Sequence, residues 1–251
     1  MKELNKLYCN PEKLTVRPVN KSVAKDIIVN NHYSGIWTKV SYALGLFYTS
    51  DDQHQFFSGV NEKLIGIACY GDPIGRHSGA SISEQLDRTE VLELTRLFVF
   101  DGYGSNIESW FVGQTFKWLR ENTPHIKALI SYSDPKAGHV GTVYQATNWI
   151  YQGNRIRPND SWMFRWTEEG EWHHSRTSYV KYGTNDPLQI QEMALTPFWI
   201  KKEPRKHRYV YLLKDRKKLF KNLKYPALPY PKVAGEFEEE IHKLEPVERS
   251  K

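Results

Sequence analysis

The fold of this chain is decided by residues 91–133, VLELTRLFVFDGYGSNIESWFVGQTFKWLRENTPHIKALISYS. The first ten, 91–100, are rich in β-branched and other apolar residues and predict a strand. Gly102 and Gly104 follow and predict a tight turn. A glycine turn that leads into a helix presents free backbone N–H groups, which suit phosphate oxygens. The turn at Asp101–Asn106 is therefore a candidate phosphate site.

The helix after this turn has clear limits in the sequence. Ser105-Asn106-Ile107-Glu108 has the S-x-x-E form of a capping box, which predicts where the helix begins. Apolar residues then recur at helical spacing until Thr123-Pro124 ends the pattern. Ala128–Ser133 predicts the next strand, and Asp134-Pro135 breaks it. The predicted order is strand, glycine turn, capped helix, strand.

Other segments complete the prediction. Strands are expected at Leu14–Pro18, Tyr42–Tyr48, Leu64–Tyr70, Trp149–Tyr151, Trp162–Trp166 and Arg208–Leu213, and the apolar stretch Phe198–Ile200 precedes the basic segment. Helices are expected at Asn20–Asn31 and His139–Thr147, and Trp172–Tyr182 is expected to be a mixed loop region. Repeated prolines and the acidic run Glu236–Glu240 predict a C-terminal tail. We expect a catalytic domain over residues 1–200 and an extension over 201–251.

The composition indicates a folded protein, with 251 residues of which 39% are hydrophobic. The charged N-terminus lacks the apolar run of a secretory signal, so we expect a cytoplasmic protein with no membrane partner. Cys9 and Cys69 lie far apart and form no CxxC pair. Neither a disulfide framework nor a cysteine zinc site is therefore expected.

Positive charge is concentrated near the C-terminus. Residues 201–224 hold 11 Lys and Arg against Glu203 and Asp215, a local +9 that leaves −3 for the rest of the chain. Aromatic residues interleave with these cations, a pattern that suits a surface in contact with nucleic-acid phosphates. A solvated basic helix is the alternative. Composition does not decide between them.

The order of elements resembles the acyl-CoA acetyltransferase (GNAT) fold, an α/β fold with a mixed, mostly antiparallel central sheet flanked by helices. In that fold the fourth and fifth strands part, pantetheine enters the gap, and the pyrophosphate lies on the turn after the fourth strand. The resemblance implies 93–100 and 128–133 as these strands and Tyr144 as general acid to the thiolate. A packed aromatic residue is the alternative for Tyr144. The turn at 100–105 departs from the Gln/Arg-x-x-Gly-x-Gly/Ala pattern of that fold.

A closer resemblance, over roughly His32–Gly153, is to the Mom family of bacteriophage DNA-modification proteins. The motifs that carry it are His32-Tyr33-Ser34, Glu93-Leu94-Thr95-Arg96-Leu97, Glu108-Ser109-Trp110-Phe111, Ser131-Tyr132-Ser133-Asp134-Pro135 and Gly138-His139-Val140-Gly141-Thr142-Val143-Tyr144-Gln145-Ala146. The resemblance implies an enzyme that uses acetyl-CoA to convert adenine in double-stranded DNA to N6-carbamoylmethyladenine. It would act in the bacterial host cytoplasm and protect phage DNA from restriction. The sequence does not indicate an oligomeric state.

The resemblance, together with the residue types, gives two sets of site residues. The candidate catalytic residues are Asp134, Tyr144, His32 and Tyr33. The candidate cofactor-binding residues are Arg96, Gly102, Gly104, Ser105, Asn106, Ser109 and Asn148. Arg96 lies in a core strand and needs a partner there, which is a carboxylate such as Glu93 or Asp134, a cofactor phosphate or the DNA.

The implied reaction also suggests a metal. Its product joins adenine N6 to the methyl carbon of the acetyl group, and activating that C–H bond requires more than a general base. Iron or another divalent metal would serve, since imidazole and carboxylate ligands suit iron. His32, Asp134 and His139 are the candidate ligands. A cap or a hydrogen-bonded loop residue is the alternative for His32.

A base inside a duplex must be flipped out before an enzyme can act on it, and aromatic side chains then stack on it. Trp37, Tyr132 and Trp149 are candidates, although most aromatic residues fill cores. The candidate DNA-binding residues are Lys201, Lys202, Arg205, Lys206, Arg208, Lys217 and Lys218. Two rival functions stay open at this point: a conventional N-acetyltransferase of a protein or small-molecule amine, and a DNA-binding protein without catalysis.

Overall fold

The structure is a computed structural model that describes residues 9–50, 62–154, 161–233 and 239–247. The strands are β1 (Leu14–Pro18), β2 (Tyr42–Thr49), β3 (Glu62–Gly71), β4 (Val91–Val99), β5 (Ala128–Ser133), β6 (Ile150–Tyr151), β7 (Trp162–Arg165), β8 (His173–His174), β9 (Phe198–Lys202), β10 (His207–Leu212) and β11 (Ile241–Leu244). The α-helices are α1 (Lys21–Asn31), α2 (Ile107–Asn122), α3 (Thr142–Ala146), α4 (Ser175–Tyr182), α5 (Pro187–Met193) and α6 (Arg216–Lys221).

Most predicted elements are confirmed, and β1 and β5 have the predicted bounds. Two predictions are wrong. The segment expected to be a mixed loop region holds β8 and α4. Part of the expected tail is β11, which pairs antiparallel with β9. Residues 236–238 of the acidic run lie outside the described residues.

The chain forms two compact units whose segments interleave in sequence. The first contains the described residues up to Tyr132, together with Gly141–Gln152 and Arg208–Tyr230. The second contains Ser133–Val140, Gly153–His207 and the described residues from Pro231 onward. This division does not follow the boundary expected at residue 200, because β10 joins the large sheet.

The large sheet has seven strands in the order β1-β2-β3-β4-β5-β10-β6. Antiparallel pairing joins β1 to β2, β2 to β3, β3 to β4 and β10 to β6, whereas β4 and β5 are parallel. The sheet is therefore mixed and mostly antiparallel, as predicted. Pairing between β4 and β5 extends over three residue pairs and ends at Glu93 and Ile130.

Helix α2 covers this sheet with one apolar face. Phe111, Val112, Phe116 and Leu119 are buried and belong to the same cluster as residues of β4 and β5. Burial of each such side chain stabilises the fold by about 1.5–3 kcal/mol. The helix thus fixes the position of the turn at its own N-terminus relative to the strands.

The second unit has its own sheet, in the order β11-β9-β7-β8. Phe164, Phe198 and Ile200 from its strands pack with Ile190 of α5 in a separate core. Among the described residues, no helix is long and apolar enough to cross a membrane.

Candidate functional site

The parting of β4 and β5 is the central feature of the candidate site. Leu94 is the first residue of β4 beyond the paired segment, and its carbonyl oxygen lies 2.8 Å from the Ser131 hydroxyl of β5. The same hydroxyl lies 2.8 Å from the Tyr144 hydroxyl of α3. A polar cluster therefore stands where the two strands separate.

One hydrogen on Ser131 cannot serve two acceptors at once. When Ser131 donates to the Leu94 carbonyl, the Tyr144 hydroxyl must donate to Ser131. When Ser131 donates to Tyr144, the phenol hydrogen is released for another acceptor. The cluster has two hydrogen-bond arrangements, and only the second leaves Tyr144 able to donate to a ligand.

The Tyr144 ring is held by other aromatic rings. Its centroid lies 5.1 Å from that of Trp149 and 5.0 Å from that of Tyr209. Burial raises the pKa of Tyr144 to about 12, partly offset by the Ser131 hydrogen bond, and the nearby Tyr33 and Glu93 raise it further. The phenol is therefore protonated at neutral pH.

A β-bulge lies beside this point in β4. The register with β3 pairs Cys69 with Arg96 and then Tyr70 with Leu94, so Thr95 is the extra residue. A bulge changes the direction of nearby side chains. The Thr95 hydroxyl donates to the Cys69 carbonyl at 3.1 Å and accepts from the Thr38 hydroxyl at 3.2 Å.

Arg96 anchors the loop that follows α1. Its Nε donates to the Ile36 carbonyl at 3.0 Å, and its Nη1 donates to the Thr95 carbonyl at 2.6 Å. The guanidinium thus binds two backbone carbonyls in place of the Glu93 or Asp134 carboxylate considered from the sequence. Arg96 therefore anchors, at Ile36, the loop that begins with His32 and Tyr33.

His32 and Tyr33 lie at the start of that loop, with ring centroids 4.3 Å apart. The backbone N–H of Ser34 donates to His32 Nδ1 at 3.1 Å. Nδ1 also lies 2.9 Å from the Ser34 hydroxyl, which can accept a hydrogen bond from it, so these contacts do not fix the tautomer of His32. Tyr33 is 66% exposed, so its phenol is accessible.

The turn at Asp101–Asn106 leads into α2 as predicted, but the capping box is wrong. Asn106, not Ser105, is the N-cap, with a left-handed backbone (φ 64°) and no side-chain cap. Gly102 and Gly104 have φ values of 96° and 104°, which favour glycine. The Ser105 hydroxyl is buried and has no hydrogen-bond partner among the described residues. A buried hydroxyl without a partner at a helix N-terminus suits a bound oxyanion.

Two other candidate cofactor residues have different surroundings. The Ser109 hydroxyl donates to the Asn106 carbonyl at 2.9 Å, which leaves only its lone pairs for a ligand. Asn148 has a left-handed backbone (φ 59°) and follows α3. It lines a cavity next to α6.

Asp134 and His139 lie together in the second unit. Asp134 Oδ1 accepts from the Lys136 backbone N–H at 3.0 Å, and Oδ2 lies 3.2 Å from Lys206 Nζ. The backbone N–H of exposed His139 donates to the Asp134 carbonyl at 3.2 Å. In the part of the chain that the structure describes, no group of three or more His, Cys, Asp and Glu side chains is placed to hold a metal. The described residues therefore provide no three-ligand site of the kind expected from the sequence.

The candidate DNA-binding residues do not form a single exposed row. Arg208 is 4% exposed and donates to the Ser81 carbonyl at 3.1 Å, so it does not fit a role at a surface. Lys201 is 7% exposed, and its Nζ lies 2.7 Å from Glu239. Lys206 pairs with Asp134, as described above.

The remaining candidates of this group are more accessible. Lys202 is exposed and lies 5.3 Å from the Trp162 ring centroid, and Arg205 is half-buried. Lys217 and Lys218 are exposed on α6. This short helix is therefore an exposed cationic feature of the first unit.

The candidate stacking residues differ in exposure. Trp149 is 1% exposed and packs against Phe116, Tyr144 and Tyr211, so it cannot stack on a flipped base. Tyr132 is 36% exposed. Trp37 is partly buried against the cluster under α1.

Ser131 is a candidate site residue to which the sequence reasoning assigned no role. It is fully buried within an otherwise apolar segment of β5. A buried hydroxyl must find a hydrogen-bond partner. This polar residue in the middle of an apolar strand was the signal available in the sequence.

The parted strands, the uncapped helix after a glycine turn and the tyrosine at the point of parting define a GNAT-like acyltransferase fold. Two solved structures similar to it are the ribosomal-protein-S5-alanine acetyltransferase of Vibrio fischeri and the NAA60 protein of Arabidopsis thaliana in complex with acetyl-CoA. The first is 12% identical, with a TM-score of 0.41 and coverage of 81% of this chain and 94% of that chain. The second is 10% identical, with a TM-score of 0.40 and coverage of 79% and 99%.

The chain belongs to the Mom protein family, whose family model matches residues 13–232. It is similar to the methylcarbamoylase Mom of Escherichia phage Mu. The two are 26% identical over 227 residues, which cover 88% of this chain and 85% of that protein. The residues that the family model matches include the point where β4 and β5 part, the turn before α2, and helix α6.

Proposed function

We propose that this protein is an acetyl-CoA-dependent enzyme that converts adenine in double-stranded phage DNA to N6-carbamoylmethyladenine and so protects that DNA from host restriction. Membership of the Mom family supports the class of reaction, because the phage Mu relative is named a methylcarbamoylase. The observation that carries the proposal is the Leu94, Ser131 and Tyr144 cluster at the point where β4 and β5 part.

Acetyl-CoA would enter between the parted strands with its pyrophosphate on the turn before α2. The residues present fit this group. Ser105 offers a buried hydroxyl without a partner among the described residues, and the glycines at 102 and 104 leave two positions of the turn without side chains. The N-terminus of α2 adds a positive dipole end to this site. When bound, acetyl-CoA supplies the thioester and the carbon atoms that are transferred.

Tyr144 would stabilise the thiolate by donating a hydrogen bond. Its pKa of about 12 lies well above that of an ordinary thiol, about 8.5. Complete transfer of the phenol proton to such a thiolate is therefore unfavourable, and we assign Tyr144 the role of hydrogen-bond donor in place of general acid. Ser131 supports this role by donating its own hydrogen to Tyr144.

His32 and Tyr33 would act on the substrate side of the site. Arg96 holds the start of their loop over β4, and Tyr33 is close enough to influence the pKa of Tyr144. An exposed phenol near the reacting group can stack on an adenine turned out of the duplex. Tyr33 therefore replaces Trp149 as the aromatic candidate.

Nucleoside mass spectrometry of DNA from cells that express the protein tests this proposal. We expect a modified adenosine with the wild-type protein and its loss with Tyr144→Phe, which keeps the ring and removes the hydroxyl. Val180→Ala, on an exposed residue of α4, serves as a control that should retain activity. Unmodified DNA in the presence of folded wild-type protein would contradict the proposal. An acetylated amine found in its place would identify a conventional N-acetyltransferase.

A further inference from the structure

A cavity of about 460 Å³ lies next to α6 in the first unit, apart from the cluster at the parted strands. Its walls come from α6, from β6 and from the segment after α6 that ends at Tyr230. Its volume lies within the usual range for small-ligand sites, about 300–1,000 Å³. Two residues singled out from the sequence, Asn148 and Lys217, line it, but the proposed reaction does not use it.

The wall opposite α6 is held in place by hydrogen bonds. The Leu228 backbone N–H donates to the Tyr151 carbonyl at 2.8 Å, and the Tyr230 hydroxyl donates to the Trp149 carbonyl at 2.7 Å. The segment is therefore fixed to β6 and its approach. The cavity is part of the folded unit.

The lining combines positive charge with flat apolar surface. Arg216 and Lys217 line the cavity, and its described lining includes no carboxylate. Phe220 is 53% exposed and Tyr230 is 40% exposed, so both rings are accessible. This combination fits a ligand with a flat ring system and an anionic group.

Asn148 adds a group that can bind the edge of a base. Its amide can both donate and accept hydrogen bonds. Its left-handed backbone (φ 59°) belongs to the end of α3, where the N–H groups of Asn148 and Trp149 donate to the Gln145 and Tyr144 carbonyls. A nucleotide offers a planar base, hydrogen-bonding edges and a phosphate, which match the three features of this cavity.

The surroundings favour a nucleotide within a polymer over a free one. Around the cavity, residues 214–224 hold six Lys and Arg against the single carboxylate of Asp215. Lys218, Lys221 and Lys224 are exposed but do not line the cavity. This charge extends beyond what one nucleotide would neutralise and suits a longer phosphate backbone.

We infer that the cavity next to α6 binds an unpaired nucleotide of DNA, with its base on Phe220 and Tyr230 and its phosphate on Arg216 and Lys217. This inference rests on the proposed function in that the partner is DNA. An enzyme that turns a base out of a duplex leaves unpaired nucleotides, and this cavity would hold one of them outside the reacting site. It would thereby favour the opened form of the duplex.

Fluorescence anisotropy at one fixed salt concentration tests the inference with two probes, a short perfect duplex and the same duplex with a few nucleotides unpaired in one strand. We expect wild-type protein to bind the second probe more tightly. Phe220→Ala should weaken binding of that probe about tenfold and leave the perfect duplex nearly unchanged, since a stacked base is lost. Phe220→Tyr should restore the preference. Tyr179→Ala, on an exposed ring of α4, is the control and should bind as wild type does.

Charge reversal separates the phosphate contact from stacking. Arg216→Glu combined with Lys217→Glu should weaken binding of both probes and reduce the salt dependence. Equal binding of both probes by wild-type protein and Phe220→Ala would overturn the inference. Displacement of the unpaired probe by coenzyme A, with a matching loss of coenzyme A affinity in Phe220→Ala, would assign the cavity to the cofactor and also overturn it.

Nucleoside mass spectrometry distinguishes a failure of this inference from a failure of the proposed function. If Phe220→Ala changes binding of the unpaired probe while mass spectrometry finds unmodified DNA, the role of the cavity is supported and the proposed reaction is contradicted. Modified DNA with no Phe220 effect on binding would support the reaction and contradict the cavity.

Discussion

The Ser131 hydroxyl lies 2.8 Å from the Tyr144 hydroxyl at the point where β4 and β5 part. Ser131 also reaches the Leu94 carbonyl, which has no partner in the β5 ladder once the strands separate. The same side chain therefore satisfies a backbone group and orients the phenol. This dual contact explains why a serine is useful within an apolar strand.

Ser131→Ala should lower the rate of DNA modification about tenfold to a hundredfold, because misorientation of a catalytic group has costs of this size. Acetyl-CoA affinity should stay close to that of the wild type, since Ser131 acts through Tyr144. Steady-state kinetics with acetyl-CoA titrated at fixed DNA separates the two quantities. The free energy of unfolding should fall by about 1–3 kcal/mol, because the Leu94 carbonyl loses its donor.

Ser131→Thr is the matched control, because it keeps a hydroxyl at the same position. It should recover much of the rate if the hydroxyl is what matters. Equal rates for Ser131→Ala and wild type would remove Ser131 from the site.

The stability of the protein should fall in alkaline solution. Burial raises the pKa of Tyr144 and that of Tyr209 to about 12, whereas an unfolded tyrosine has a pKa of about 10. Between these values the unfolded chain has lost protons that the folded chain retains. The free energy of unfolding therefore decreases as the pH rises from about 10 to about 12 and is insensitive to these groups below about pH 9.

Urea unfolding followed by tryptophan fluorescence at a series of pH values measures this change. Tyr209→Phe should make the alkaline decrease shallower, since it removes one of the two groups. A decrease of the same steepness in that variant would show that Tyr209 does not contribute.

The sequence predicts the strands and helices around the site well, for physical reasons. The bounds of β5 follow from an apolar run enclosed by Pro124 and Asp134-Pro135, which are strong local signals. The predicted N-cap of α2 is wrong by one residue, because Asn106 adopts a left-handed backbone there and the buried Ser105 hydroxyl has no partner among the described residues. A capping pattern in the sequence does not reveal which way the serine side chain points.

The charge pattern likewise does not predict which cationic side chains face solvent and which are buried. Arg208 belongs to a run dense in cations, but β10 lies between β5 and β6 and all six of its residues are buried. The position of β10 in the sheet depends on its neighbours β5 and β6, which are distant in sequence. Lys217 and Lys218 lie in the same run and are exposed, because only Leu219 of α6 faces the core.

Arg96→Gln should loosen the loop that begins at His32, because the donor to the Ile36 carbonyl is lost. We expect faster hydrogen exchange of the amides between Ser34 and Thr38 and a lower rate of DNA modification. Acetyl-CoA affinity measured by calorimetry should be unchanged. A large loss of acetyl-CoA affinity with unchanged exchange would instead place Arg96 on a cofactor phosphate, one of the partners considered from the sequence.

Asp134 has a structural role in the second unit, and a pair of variants tests whether it also acts in the reaction. Asp134→Asn keeps an oxygen for the Lys136 N–H and loses the charge that faces Lys206, while Lys206→Met removes the cation and leaves the carboxylate. Exposed ion pairs contribute about 0–1 kcal/mol, so both variants should unfold within about 1 kcal/mol of the wild type. If the carboxylate acts on the substrate, Asp134→Asn should abolish the modified nucleoside and Lys206→Met should retain it. Equal, small losses of the modified nucleoside in both variants would limit Asp134 to capping the turn and pairing with Lys206.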